Sequence, residues 1–174
     1  REPEMEGIMR FKIGDKLVCP FYGAGVVTEV TECEVLGELR EYYVLEFSGN
    51  RLKLNIPTDK AEESGLRELI PASKVPEVYE HFKAEVTLEG STWSKRNKLS
   101  MDKLRSGDIM EAVEVYKYLR MREAARPLSA GEAKIFRGVH NSIVSELSFV
   151  TGEPSCEIET KINGIFEELS SADR

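Results

Sequence analysis

Hydrophobic and polar positions change their period near Pro71. Before it, apolar residues come in short runs, and in 51–57 Leu52, Leu54 and Ile56 alternate with Arg51, Lys53 and Asn55. A period of two is that of a strand with one face buried and one wet. Similar runs occupy 16–20, 24–35 and 40–48. The breaks between them carry turn residues: Gly14-Asp15, Gly23-Ala24-Gly25, Gly37 and Ser48-Gly49-Asn50. Four or five short antiparallel strands in about 60 residues predict a small barrel of the SH3 or Tudor type. Unless so small a sheet closes, it leaves an edge to which another chain can add a strand.

Beyond Pro71 the period lengthens to about 3.6, which predicts helices. A short linking helix from Val75 to Ala84 places Val75, Val78, Tyr79 and Phe82 on one face. Residues 86–92, with Gly90, read as a connector. Ser94 is a candidate N-cap for a helix ending near Arg105, with Gly107 at its C′ position. Asp108 and Glu111 predict a capping box ahead of the stripe Ile109, Ala112, Val113, Tyr116 and Leu119. After Pro127, a second box, Ser129 to Glu132, opens a long helix through Ile135, Phe136, Val139, Ile143, Val144 and Leu147 to Gly152. A last helix starts near Ser155 and carries Ile158, Ile162, Ile165, Phe166 and Leu169. The fold class is therefore α+β, a small β barrel followed by an all-α domain.

Composition narrows the function. The chain has 174 residues, is 41% hydrophobic and carries a net charge of −7, which argues against coating nucleic acid by bulk electrostatics. The distribution differs from the total. Arg10 to Ala72 holds 8 basic and 11 acidic residues, Ser91 to Arg137 holds 11 and 6, and Gly138 to Arg174 holds 2 and 7. One locally positive stretch lies between two negative ones, and an anionic partner is expected there. No apolar run is long enough for a membrane helix and residues 1–9 lack a secretory h-region, so the expected address is the cytoplasm. Those first residues read as an added or disordered leader ahead of Met9. Cys19, Cys33 and Cys156 are widely spaced and read as free thiols, with no metal site.

Catalytic chemistry has little to work with. His81 and His140 are the only histidines, and neither has a nucleophile at catalytic spacing; His81 reads as a helix-surface residue. The glycines of Tyr22-Gly23-Ala24-Gly25 lack the helix and lysine of a phosphate loop and read as a tight turn. The informative segment is 91–105. It holds the only tryptophan, Trp93, followed by Lys95, Arg96, Lys98, Lys103 and Arg105. Either Trp93 is a core residue or hydrophobic staple and the lysines are a solvated face, or the helix grips DNA phosphates while the indole wedges at a distorted minor-groove step. Lys95 and Lys98 are three apart and share a face, with Arg96 turned about 100° from Lys95.

The opening Phe11-Lys12-Ile13-Gly14-Asp15 through Pro20 to Val27 resembles that of the CarD/CdnL family of bacterial RNA polymerase-binding transcription regulators, whose pattern is F-K-x-G-D-x-V-x-Y-P-x-x-G-x-x-x-V. Matches continue in register at Gly37-Glu38, Glu41-Tyr42, Ile56-Pro57, Trp93-Ser94-Lys95-Arg96 with Lys98, Leu104-x-Ser106-Gly107-Asp108 and Leu128-Ser129-x-Gly131-Glu132. They cover nearly the whole chain from Met9. The first part alone is also similar to the polymerase-binding domain of the transcription-repair coupling factor.

The resemblance implies a Tudor-like domain docked on the β subunit of RNA polymerase, and a helical domain touching promoter DNA at the upstream edge of the bubble. It assigns DNA binding to Trp93, as a minor-groove wedge, and to Lys95, Arg96 and Lys98. It implies stabilisation of the promoter open complex without turnover, cofactor or small-molecule substrate. Where some members place polymerase-contacting arginines this chain has Cys33 and Asn55, and Arg51 and Lys53 on the same wet face are possible substitutes. Cys19 replaces the tyrosine of the family's Y-P pair. The expected organisation is a leader 1–9, a polymerase-interacting domain 10–72, a linking helix and connector 73–92, and a DNA-binding domain 93–174, acting as a monomer away from membranes. The rival reading is a protein-interaction adaptor that never touches DNA. An RNA-binding module is weaker, because the strands lack paired aromatics for stacking bases.

Overall fold

A computed structural model of the protein describes residues 11–47, 51–85 and 92–172. The turn read at Ser48-Gly49-Asn50, the leader and most of the connector lie outside them. Five antiparallel strands come first: β1 (Lys16–Cys19), β2 (Gly23–Val35), β3 (Glu38–Phe47), β4 (Lys53–Pro57) and β5 (Arg67–Glu68). They are hydrogen-bonded in the order β4-β3-β2-β1-β5, a Tudor-like sheet whose edges are β4 and β5. Register shifts between Val27 and Glu29, and this bulge increases the local twist of the longest hairpin. Leu36 and Gly37, both at positive φ, make its two-residue turn.

The expected alternation appears in β4, where Leu54 and Ile56 turn inward between exposed Lys53 and Asn55, and in β3 Tyr43, Leu45 and Phe47 face a core shared with Phe11, Leu17, Val27 and Ile56. The Tyr43 hydroxyl accepts a hydrogen bond from the Phe11 backbone N–H at 3.2 Å, so the buried phenol is satisfied. Strand β4 begins at Lys53, two residues later than the pattern predicts, and Leu52 is 39% exposed.

Five helices follow: α1 (Val75–Lys83), α2 (Trp93–Arg105), α3 (Ile109–Ala125), α4 (Ala130–Thr151) and α5 (Ser155–Ala172). Their apolar stripes meet in a second core, in which Tyr116 stacks on Phe136 at 5.0 Å and meets Phe82 edge-on. One predicted cap moves and one forms without its box. Thr92, not Ser94, caps α2, its hydroxyl accepting from the Lys95 N–H at 3.3 Å. Asp108 caps α3 through the Met110 N–H, while its own N–H donates to Ser106 Oγ at 3.2 Å. The reciprocal box with Glu111 is thereby pre-empted.

His81 is half-buried, its Nε2 3.3 Å from Glu114 Oε1, and so lies between helices and not on a free surface. Lys117 is buried, donating to the His81 carbonyl at 3.2 Å at the C-terminal end of α1, where a cation is favourable. Burial pushes its ammonium pKa down despite the nearby Glu114 and Glu85 carboxylates.

The sheet rests on α4. Ala24 N–H donates to Ser145 Oγ at 2.9 Å, and a Cβ on Gly23 would stand 2.4 Å from that oxygen. Gly23 also sits at φ +97°, closed to most side chains. Gly23→Ala is therefore expected to destabilise the protein by about 1–3 kcal/mol, read from urea denaturation.

The box at the start of α4 forms as predicted, with Ser129 N–H donating to Glu132 Oε2 at 2.9 Å and Glu132 N–H to Ser129 Oγ at 3.2 Å. Arg122 Nε lies 2.6 Å from Glu132 Oε1. Burial pushes the Glu132 carboxyl up, but the Ser129 bonds and Arg122 outweigh it and hold the group below its ordinary 4.5. Stability from a lowered carboxylate is present above the unfolded value and lost as pH falls through the folded one. On acidification from neutral pH to below 4.5, the wild type should lose more thermal stability than Glu132→Gln.

Candidate nucleic-acid and partner interface

Trp93 occupies the first turn of α2, held there by the Thr92 cap. Its indole is 49% exposed. One edge rests against the first turn of α4, where a Cβ on Gly131 would lie 4.0 Å from Cζ2, in ordinary contact. The ring is neither sealed in the core nor free: α4 supports one edge and the rest meets solvent.

The basic residues behind it divide by what they touch. Lys103 Nζ is 2.5 Å from Glu114 Oε2, and Arg105 lies 3.9 Å from Asp102. Burial raises the Glu114 carboxyl, yet Lys103 and His81 together bring it below its ordinary value, so this cluster is satisfied within the fold. Lys95 and Lys98 are exposed and, among the described residues, make no ion pair. Arg96 is turned inward and half-buried beside Trp93, Ser100 and Glu132. The structure thus leaves Trp93, Lys95 and Lys98 exposed in the first two turns of α2, and places Arg96 half-buried beside Trp93. Two exposed cations near the N-terminus of a helix, the end whose dipole favours anions, suit contact with phosphates.

The other predicted contacts lie on the sheet. Directly opposed residues of paired strands share a face. Asn55 opposes Val44, Lys53 opposes Glu46 and Cys33 opposes Arg40, which puts all three on the face opposite Tyr43 and Leu45. Asn55 and Lys53 sit on the edge strand β4 and are exposed. Cys33 is exposed farther out, on the part of the β2–β3 hairpin beyond the last β4 pairing. Arg51 precedes β4, exposed, at φ +53°. By contrast Cys19 is buried, and burial pushes its thiol to about 11, leaving it unreactive.

Two residues beside this edge escape a sequence reading. A groove of about 380 Å³ runs along β4 between Leu54–Pro57 and the β1–β2 turn, and it includes Tyr22 and, from the end of α2, Arg105. Tyr22 is 47% exposed and stacks on Phe47. Nothing in the spacing of Arg105 tells that it reaches the sheet.

Comparisons with known proteins agree with this division. Residues 11–70 match the model of the CarD-like/TRCF RID domain, and residues 77–163 match that of the CarD C-terminal domain. A protein of Bacillus subtilis (strain 168) named "Putative transcription factor YdeB" is 29% identical over 153 residues, covering 86% of this chain and 98% of that protein. With a Tudor-like sheet and a helical part each matching in chain order, this chain belongs to the CarD family of transcription factors.

Proposed function

We propose that this protein is a non-enzymatic transcription regulator that binds the β subunit of RNA polymerase through the β4 edge and promoter DNA through the start of α2. The observation that carries the reading is a half-exposed tryptophan, braced on one side by α4, directly ahead of two lysines that no acidic side chain among the described residues neutralises. Membership of a transcription factor family and a polymerase-interacting-type sheet support it. No helix among the described residues is long and apolar enough to cross a membrane.

Two lysines neutralise few phosphates, so contact with DNA alone is weak, and polymerase supplies the local concentration that makes it effective. An indole that fits only an unstacked step binds the open complex better than the closed one, and the equilibrium shifts by that difference. Cys33, Arg51, Lys53 and Asn55 meet the polymerase surface beside an added strand.

The test is the lifetime of promoter open complexes formed with polymerase from the same source. Wild type should lengthen it, and Trp93→Ala should lose about tenfold of that effect while still binding polymerase. Lys95→Ala with Lys98→Ala should lower the salt slope by about two. Equal action by all three proteins would remove the DNA contact and leave an adaptor.

A further inference from the structure

We propose that Arg67 is a positioning residue: with Glu146 it sets the bearing of Trp93 relative to the β4 edge, so that one molecule engages polymerase and DNA together. This rests on the function proposed above. Arg67 lies on β5, at the opposite edge of the sheet from β4. Its Nη1 and Nη2 donate to Glu146 Oε1 and Oε2 at 2.7 and 2.8 Å, a two-point bond that fixes angle as well as distance. Ile70 N–H donates to the same carboxylate at 3.0 Å, and Glu146 is 1% exposed. Arg67 Nε also donates to the carbonyl of Gly107, at the corner between α2 and α3.

One guanidinium therefore ties the sheet to two helices, and those two helices meet again at Trp93. From the Gly107 corner α2 runs back to Trp93; from Glu146 α4 runs back to Gly131, against which the indole rests. At 1.5 Å per residue these arms are about 20 Å long. A swing of about 10° at the anchored end moves the far end by about 3 Å, comparable to the spacing of stacked bases. Without the anchor each surface still binds its own partner, but simultaneous engagement is lost.

The native cysteines supply the measurement. Cys33 on the sheet and Cys156 on α5 are exposed, whereas Cys19 is buried, so spin labels attach to one site in each part. The variant Arg67→Ala/Glu146→Gln removes the guanidinium without stranding a buried charge and leaves Ile70 its acceptor. Pulsed electron resonance should give one narrow Cys33–Cys156 distance for wild type and a broad distribution for the variant, with Arg67→Lys between them. With unlabelled protein, the variant should bind polymerase alone and DNA alone as wild type does, yet lose about tenfold in open-complex lifetime. An equally narrow distance in the variant, or a broad one with the lifetime effect intact, overturns the inference. A variant that fails to melt cooperatively is set aside, and Arg67→Lys then decides by the same two criteria. If wild type itself leaves lifetimes unchanged, the underlying function fails, and the inference with it.

Discussion

A single carboxylate sealed between the sheet and the helices sets the terms for the rest of the molecule. Removing an ion the size of Glu146 from water costs several kcal/mol unless its oxygens are met by donors in good geometry. Here both oxygens are met, by Arg67 and by the Ile70 backbone. The donors come from β5 and the segment after it, the acceptor from the middle of α4. The charge is therefore satisfied only when the two parts are docked. Around it the surfaces are cut to fit, with Gly23 against Ser145 and a Cβ on Gly65 only 3.1 Å from the Arg105 carbonyl oxygen.

The same principle, that an ion is used where it is least costly, explains how an acidic protein keeps a positive site. Counting charges along the chain credits 91–137 with 11 basic residues, but many of them are committed internally. Lys103 is matched by Glu114, Arg122 by Glu132, and Lys117 by a helix C-terminus. What remains at the start of α2 is the exposed pair Lys95 and Lys98, in the same two turns as Trp93. A positive surface of that modest size fits the function proposed above, in which a larger assembly supplies the local concentration of DNA.

Local signals were legible wherever the partners lie within a turn of one another. The Ser129–Glu132 box, Gly152 in a left-handed C-cap and the apolar stripes all follow from spacing alone, because their bonds close within a few residues. The cap of α2 and the box of α3 differ from the spacing for the same reason, although Asp108 caps α3 as predicted. Two oxygens compete in each case, Thr92 and Ser94 for the start of α2, and Ser106 and Glu111 for the Asp108 N–H. Which one bonds depends on the path by which the chain enters the helix. Lys117 gave no warning at all: a lysine within an apolar stripe is buried only because α1 ends directly above it.

From the sequence alone came the order of strands before helices, the family, and the candidate pairing of Trp93 with Lys95, Arg96 and Lys98. These rest on residue types and short spacings, which the chain carries whatever its fold. The tertiary structure decided which cations are spent and which are left, turning Arg96 inward and leaving Lys95 and Lys98 outside. It also placed the edge of β4, the reach of Arg105 to the sheet and the Arg67–Glu146 clasp, whose partners are 79 residues apart. Contacts at such separation are chosen by how whole faces pack and by the cost of leaving a buried charge unpaired, and neither quantity exists until the chain has folded.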